Sequence, residues 1–173
     1  MLVLSEQIGR ASCRESVGAV GTGKTYLATA LGVKACSQGK KVRFYRAADL
    51  CAELTEKHRT GSLGKTLKQL QKLDLLILDE VGYIPFDKLS SQLLFNVVSN
   101  CYEQQSIILT SNLEFGRWNY IFRDDRLTAA LIDRLVHHAY ILGFTGSSFR
   151  YREAVLAKGG SKMNEGRQSI TTN

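Results

Sequence analysis

Gly18-Ala19-Val20-Gly21-Thr22-Gly23-Lys24-Thr25 fulfils the spacing G-x-x-x-x-G-K-[ST] at every fixed position. Glycines so placed let the backbone curl until its N–H groups converge on phosphate oxygens, and a helix starting where the loop ends adds the positive end of its dipole. A lysine at this point reaches the β- and γ-phosphates, and the hydroxyl beside it ligates Mg²⁺. The pattern predicts a nucleoside triphosphate held by Gly18, Gly21, Thr22, Gly23, Lys24, Thr25 and Tyr26, with Thr25 also a metal ligand. Further along, "LLILDE" sets four aliphatic residues before two acids. At the carboxyl end of a buried strand, Asp79 can hold Mg²⁺ through water and Glu80 can polarise the attacking water. "ILTSN" ends a second apolar run in Asn112, which could orient that water. The same residue types also cap helices and turns by local hydrogen bonds.

These residues need elements to position them. "KTYLATALGVKACSQGK" predicts a helix from Lys24 to Ser37, with Leu27, Ala30, Leu31 and Ala35 on its apolar face and Gly39 after its end. Val42–Arg46 reads as a strand and "ADLCAELTEKH" as a helix. In "GSLGKTLKQLQKLD", Leu63, Leu67, Leu70 and Leu73 share one side. Lys65, Lys68 and Lys72 lie within roughly 60° of one another on the other. A helix over "SSQLLFNVVSNCYEQ", a strand over Ile107–Thr110, a helix over "DDRLTAALIDRLVHHA" and a short strand over "YILGF" follow. Strands that are continuously apolar and alternate with helices predict an α/β fold whose parallel sheet is covered on both faces. Within the last long helix, Arg134 borders the Leu127–Leu131–Leu135 stripe. An interface, an ion pair near Asp133 and a snorkelled stem all satisfy such a charge.

Composition narrows the remaining classes. With 173 residues, 44% hydrophobic and 23% charged, the chain has the size and make-up of one globular domain. No apolar run approaches the ~20 residues of a membrane span, and "MLVL" is too short for a signal-peptide core. A cytoplasmic protein with no membrane partner is expected. Cys13, Cys36, Cys51 and Cys101 form no C-x-x-C pair, and His58, His137 and His138 have no ligand spacing with them. Neither a disulfide nor a zinc site is expected. The net charge of +7 suits a nucleic-acid partner and equally a merely basic soluble domain.

Taken together, "GTGKTYLATALGVKAC", "VRFYRAADL", "LDLLILDEVGYIPFD", "LLFNVVSNCYE", "IILTSNLEFGRW", "DDRLTAALIDRLVHHAY" and "GSSFRYRE" resemble an AAA+ ATPase. More narrowly, the chain resembles the IstB-like transposition helper ATPases, relatives of the DnaC-type helicase loaders, over Gly18 to Glu153. The resemblance implies a P-loop AAA+ three-layer αβα sandwich with a mainly parallel central sheet, and ATP and Mg²⁺ as cofactors. It also implies a homo-oligomer assembled on double-stranded DNA that recruits a transposase. Arg134 would be the arginine finger reaching a neighbouring subunit's γ-phosphate. Arg150 would be the second sensor, although Arg152 fits the spacing almost as well. DNA would be held chiefly through phosphates, with the Lys65–Lys68–Lys72 face a candidate that a solvated helix would explain equally. A replicative helicase loader and a catalytically dead fragment with residual DNA binding are the rival readings.

The lead-in departs from that family. Its members carry a helical N-terminal region that is missing here, place an apolar strand directly before the glycine loop, and open the loop Gly-Pro rather than Gly18–Ala19. The DNA string ATC GGA AGA GCG TCG TGT AGG GAA, similar to a widely used short-read sequencing adaptor, translates to Ile8–Glu15. Gln7 to Val17 therefore reads as adaptor fused in frame, with Ser16 departing from the Arg of the simplest translation. Were "CRESV" a genuine strand, Arg14 and Glu15 would sit in the sheet centre, at a cost on the order of several kcal/mol if unpaired. The expected organisation is an anomalous lead-in over 1–17, an ATPase domain over 18–156 and a disordered tail over 157–173. With the strand before the loop replaced, its two neighbours should lack ladder partners.

Overall fold

The computed structural model describes residues 2–5, 21–102, 104–137, 139–144 and 148. Five strands form one sheet: β1 (Leu2–Ser5), β2 (Val42–Arg46), β3 (Leu75–Val81), β4 (Ser106–Ser111) and β5 (Ala139–Leu142), in the order β2-β3-β4-β1-β5. β2, β3 and β4 run parallel, whereas β1 is antiparallel to both β4 and β5. The expectation of unpaired strands is thus not met. Leu2–Ser5 fills the gap between β4 and β5, its four residues registering with Thr110–Ile107 on one side and Leu142–Ala139 on the other. The apolar run that opens the sequence supplies this strand. "CRESV", the adaptor-like stretch and the tail from residue 157 lie outside the described residues.

Helices α1 (Lys24–Ser37), α2 (Ala47–Arg59), α3 (Leu63–Leu70), α4 (Lys88–Cys101) and α6 (Asp125–Val136) separate the strands, and the one-turn α5 (Asn119–Phe122) follows a 3₁₀ turn over Phe115–Arg117. Strand alternation divides the core in two, because successive side chains leave opposite faces of the sheet. Leu75, Ile77 and Ile108 pack with Ala28 of α1 on one side. Leu76, Leu78, Ile107 and Leu109 pack on the other with Leu50 and Leu54 of α2, Leu94 and Val98 of α4, and Leu131 and Leu135 of α6. Three layers result.

The face of α1 matches the predicted one in part, since Leu31 and Ala35 pack against the core on the α1 side of the sheet. Ala28 and Gly32 are buried, Leu27 and Leu31 only partly so, and Ala30 is exposed. Small residues win there because the helix approaches the sheet closely. A Cβ on Gly32 would stand 2.7 Å from Ile77 Cδ1. Caps set other boundaries. Asp87 accepts from the Ser90 N–H at 2.6 Å and starts α4, and Asp124 accepts from the Leu127 N–H at 2.9 Å and starts α6.

Candidate functional site

Gly21 and Gly23 have φ of +80° and +96°, the left-handed region that residues with a Cβ rarely adopt. This geometry delivers the chain into α1, whose N-cap is Gly23 and whose first residues are Lys24 and Thr25. Ser148, from the "GSSFRYRE" segment, lies against the loop so closely that a Cβ on Gly21 would collide with it. Tyr26 is exposed on the first turn of α1. Lys24 Nζ donates to Thr22 Oγ1 at 3.4 Å. Burial pushes the Lys24 ammonium below the ordinary lysine range, while the Asp79 carboxylate pulls it back up. A half-buried cation beside a helix N-terminus favours an anion there.

The acids of β3 close the other side. Thr25 Oγ1 donates to Asp79 Oδ1 at 3.1 Å, joining the phosphate loop to the buried strand. Asp79 is 3% exposed and takes a second hydrogen bond from Thr110 Oγ1. The same Thr110 oxygen accepts the Glu80 N–H at 3.0 Å. Between the pairs Leu78–Leu109 and Val81–Ser111 the β3–β4 register shifts, so that Asp79 and Glu80 together oppose Thr110. This is a bulge, and Glu80 at its tip has φ +59°. The bulge breaks the strict alternation that would send two consecutive acids to opposite faces. Glu80 Oε2 stands 4.0 Å from Arg46 Nε at the end of β2, an exposed pair that contributes little by itself.

Asn112 follows β4 directly. Its Oδ1 is buried without a hydrogen-bond partner among the described residues, an arrangement that costs free energy unless something else donates to it. Arg134 lies apart on α6, and its guanidinium stacks over the Phe95 ring of α4 at 4.7 Å from the centroid. This aromatic contact was not among the arrangements the sequence suggested for Arg134, which were an interface, an ion pair near Asp133 and a snorkelled stem. Gly18 and Arg150 lie outside the described residues. Lys65, Lys68 and Lys72 are all exposed along and just after α3.

Left-handed glycines, a lysine, a hydroxyl bonded to a buried carboxylate and an orphaned amide oxygen thus converge at the carboxyl ends of parallel strands. The donor set suits a triphosphate with its divalent cation. Sequence reasoning missed Thr110, Arg46 and Phe95. Thr110 could have been suspected as the hydroxyl within the apolar run of β4, but its pairing with the acids needs the strand register.

The fold and the site together define a P-loop AAA+ domain. Among solved structures, a DNA replication initiation factor superposes with a TM-score of 0.64 at 25% identity, over 86% of this chain and 44% of its own. The DnaC helicase loader superposes with a TM-score of 0.61 at 24% identity, over 75% of this chain and 76% of its own. A sequence model of the IstB-like ATP binding protein family matches residues 10–157, and the chain belongs to that family. It is 42% identical over 140 residues to the IS5376 insertion-sequence ATP-binding protein of Geobacillus stearothermophilus, covering 81% of this chain and 56% of the relative. The chain spans about half the length of the curated relatives it matches.

Proposed function

We propose that the chain binds ATP with Mg²⁺ at the loop of Gly18, Gly21, Thr22, Gly23, Lys24, Thr25 and Tyr26, hydrolyses it, and serves as a helper of DNA transposition. The observation that carries the reading is the Thr25–Asp79 hydrogen bond, which ties the phosphate loop to the acid strand across the sheet. When bound, Mg²⁺ supplies charge neutralisation at the phosphate oxygens. Thr25 and Asp79 would hold it. Lys24 would stabilise charge on the terminal phosphates. Glu80 would accept a proton from the attacking water, and Asn112 would donate its amide N–H to orient that water, its Oδ1 left to a further donor. By its position in "SSFRYRE", Arg150 would be the second sensor of the bound nucleotide.

Membership of an insertion-sequence family supports a transposase as partner, and the exposed Lys65, Lys68 and Lys72 support phosphate contacts to duplex DNA. Arg134, held at the surface by Phe95, would complete a neighbouring subunit's site. The DnaC likeness concerns the fold alone, so the 42% identical insertion-sequence relative favours the transposition role over helicase loading. For the flanks we propose that residues 7–17 are adaptor-derived and that 157–173 are a tail outside the ATPase domain. Resequencing the locus from an independent library decides the first.

A thermal melt with and without Mg²⁺-ATP tests the core of the proposal. A ligand that binds only the folded chain adds ~2.7 kcal/mol at a hundredfold excess over its dissociation constant. The expected outcome is a raised midpoint that Lys24→Ala abolishes. A cooperative melt that ignores nucleotide would overturn ATP binding, and the absence of any cooperative transition would favour the dead-fragment reading.

A further inference from the structure

We infer that Thr110 is the positioning residue of this site, the single hydroxyl that fixes both acids of β3 at once. The inference rests on the nucleotide-binding reading for its functional meaning and on the β3–β4 geometry for its substance.

A bulge places Asp79 and Glu80 opposite Thr110 alone. A hydroxyl has one proton to donate and lone pairs to accept with. Here the Glu80 N–H occupies the Thr110 oxygen as acceptor, at 3.0 Å. The proton is thereby committed to Asp79 Oδ1. The donating half is enclosed, with Thr110 2% and Asp79 3% exposed, so water does not substitute readily for it, and the accepting half is partly buried. The accepting half holds Glu80 in a left-handed conformation, φ +59°, that a side-chain-bearing residue keeps only when its surroundings impose it. The donating half shares Asp79 Oδ1 with Thr25, so that two hydroxyls from different elements converge on one carboxylate oxygen. Each side chain sets the other's position. Thr110 locates Asp79, Asp79 locates the Thr25 hydroxyl, and the Glu80 amide is held from the same point.

Removing the hydroxyl should therefore act on metal-dependent binding and on the Glu80 turn, and leave the glycine loop's hold on phosphate alone. Thr110→Val keeps the branched shape and loses the hydroxyl, whereas Thr110→Ser keeps the hydroxyl. In the 173-residue chain we expect Thr110→Val to raise the Mg²⁺ concentration for half of the ATP-induced midpoint shift by about tenfold, a typical consequence of losing a hydrogen bond to a charged group. The shift given by ATP in EDTA should stay unchanged, and Thr110→Ser should restore the Mg²⁺ requirement. Without any nucleotide, the Glu80 amide should exchange hydrogen about fivefold faster or more in Thr110→Val than in the parent or Thr110→Ser. An unchanged Mg²⁺ requirement and an unchanged Glu80 amide in Thr110→Val would overturn the inference. So would equal losses with and without Mg²⁺, or failure of Thr110→Ser to rescue, since either would mean a packing role only. If Thr110→Val does not fold, Thr110→Ala against Thr110→Ser carries the same comparison. A parent chain indifferent to Mg²⁺-ATP sinks the ATP reading, and the amide-exchange comparison then still decides whether Thr110 holds the bulge.

Discussion

Gly82→Ala is the sharpest test of how the acid strand is turned out of the sheet. Gly82 directly follows β3 with φ +94°, and a Cβ there would stand 2.5 Å from Ile121 Cδ1 and 3.3 Å from Leu113 Cδ1. Two penalties add. A left-handed conformation costs an L-residue about 1–2 kcal/mol. Forcing a methyl into a filled site costs about 1–3 kcal/mol more. The neighbours have little room to retreat, because Ile121 is 2% exposed and its carbonyl accepts the Phe86 N–H at 2.9 Å. Alanine's stiffer unfolded chain returns about 0.4–1 kcal/mol. The net loss is about 2–4 kcal/mol, or about 5–12 °C of midpoint for a domain of this size. Differential scanning calorimetry reads it directly. A drop of under about 2 °C would mean that the packing of the post-strand turn against α5 is misdescribed, and with it the frame that holds Glu80.

Other positions give independent tests. Gly64 is exposed on α3 with nothing near its Cβ direction, so Gly64→Ala should raise stability by about 0.5–1 kcal/mol; a loss in a urea melt would contradict helical backbone there. Burial pushes the Cys51 and Cys101 thiols up to about 12, so iodoacetamide at pH 8 should label the exposed Cys36 and spare both until denaturant is added. Peptide mass mapping that finds Cys51 or Cys101 modified as fast as Cys36 refutes the burial. Lys24 sits below the ordinary lysine value of 10.5 in the nucleotide-free chain, and phosphate contact needs it charged. Its proton is lost as pH rises through that depressed value, so ATP affinity should begin to fall at a pH below 10.5 in the parent but not in Lys24→Arg. A flat parent profile in a titration from neutral to alkaline pH removes Lys24 from the site. Val3→Pro strips an N–H from a strand flanked on both sides, and losing that ladder bond should cost about 1–3 kcal/mol. An unchanged melt would take Leu2–Ser5 out of the sheet.

What the sequence disclosed, and what it withheld, follows from the range of each interaction. α1 and β2 were legible to the residue because local signals bound them: a glycine loop before Lys24, Gly39 after Ser37, and alternation through Val42–Arg46. α4 begins at Lys88, earlier than the expected Ser90, since its start is set by the Asp87 side chain and not by the first apolar residue. The face of α1 was legible only in part, through Leu31 and Ala35. Apolar spacing alone also favours Leu27 and Ala30, but a helix lying close on a sheet turns its small residues Ala28 and Gly32 inward. α5 and its 3₁₀ turn escaped notice because a single helical turn leaves no periodicity to read. Of the site, Lys24, Thr25, Asp79 and Glu80 were visible as motif positions. Their mutual geometry was not, because it depends on a register shift between strands some thirty residues apart in sequence.

That register also brings the anomalous N-terminus into the chemistry. Leu2 of β1 pairs with Thr110 of β4, and on its other side with Leu142 of β5. The residue that gathers Asp79 and Glu80 is therefore braced from two directions, by the bulge of β3 and by the antiparallel ladder of β1. A strand in this slot cannot lead straight into the glycine loop when it runs against β4, since Ser5 pairs with Ile107, at the end of β4 remote from Thr110 and Asn112. Among the described residues the loop is held by contacts made after it: α1 packed on Ile77 through Gly32, the Thr25–Asp79 bond, and Ser148 against Gly21. Each of those contacts involves residues beyond the lead-in. Among the described residues the phosphate loop is thus tied to α1, β3 and Ser148, while the alignment of its acids depends on the sheet being complete on both sides of β4.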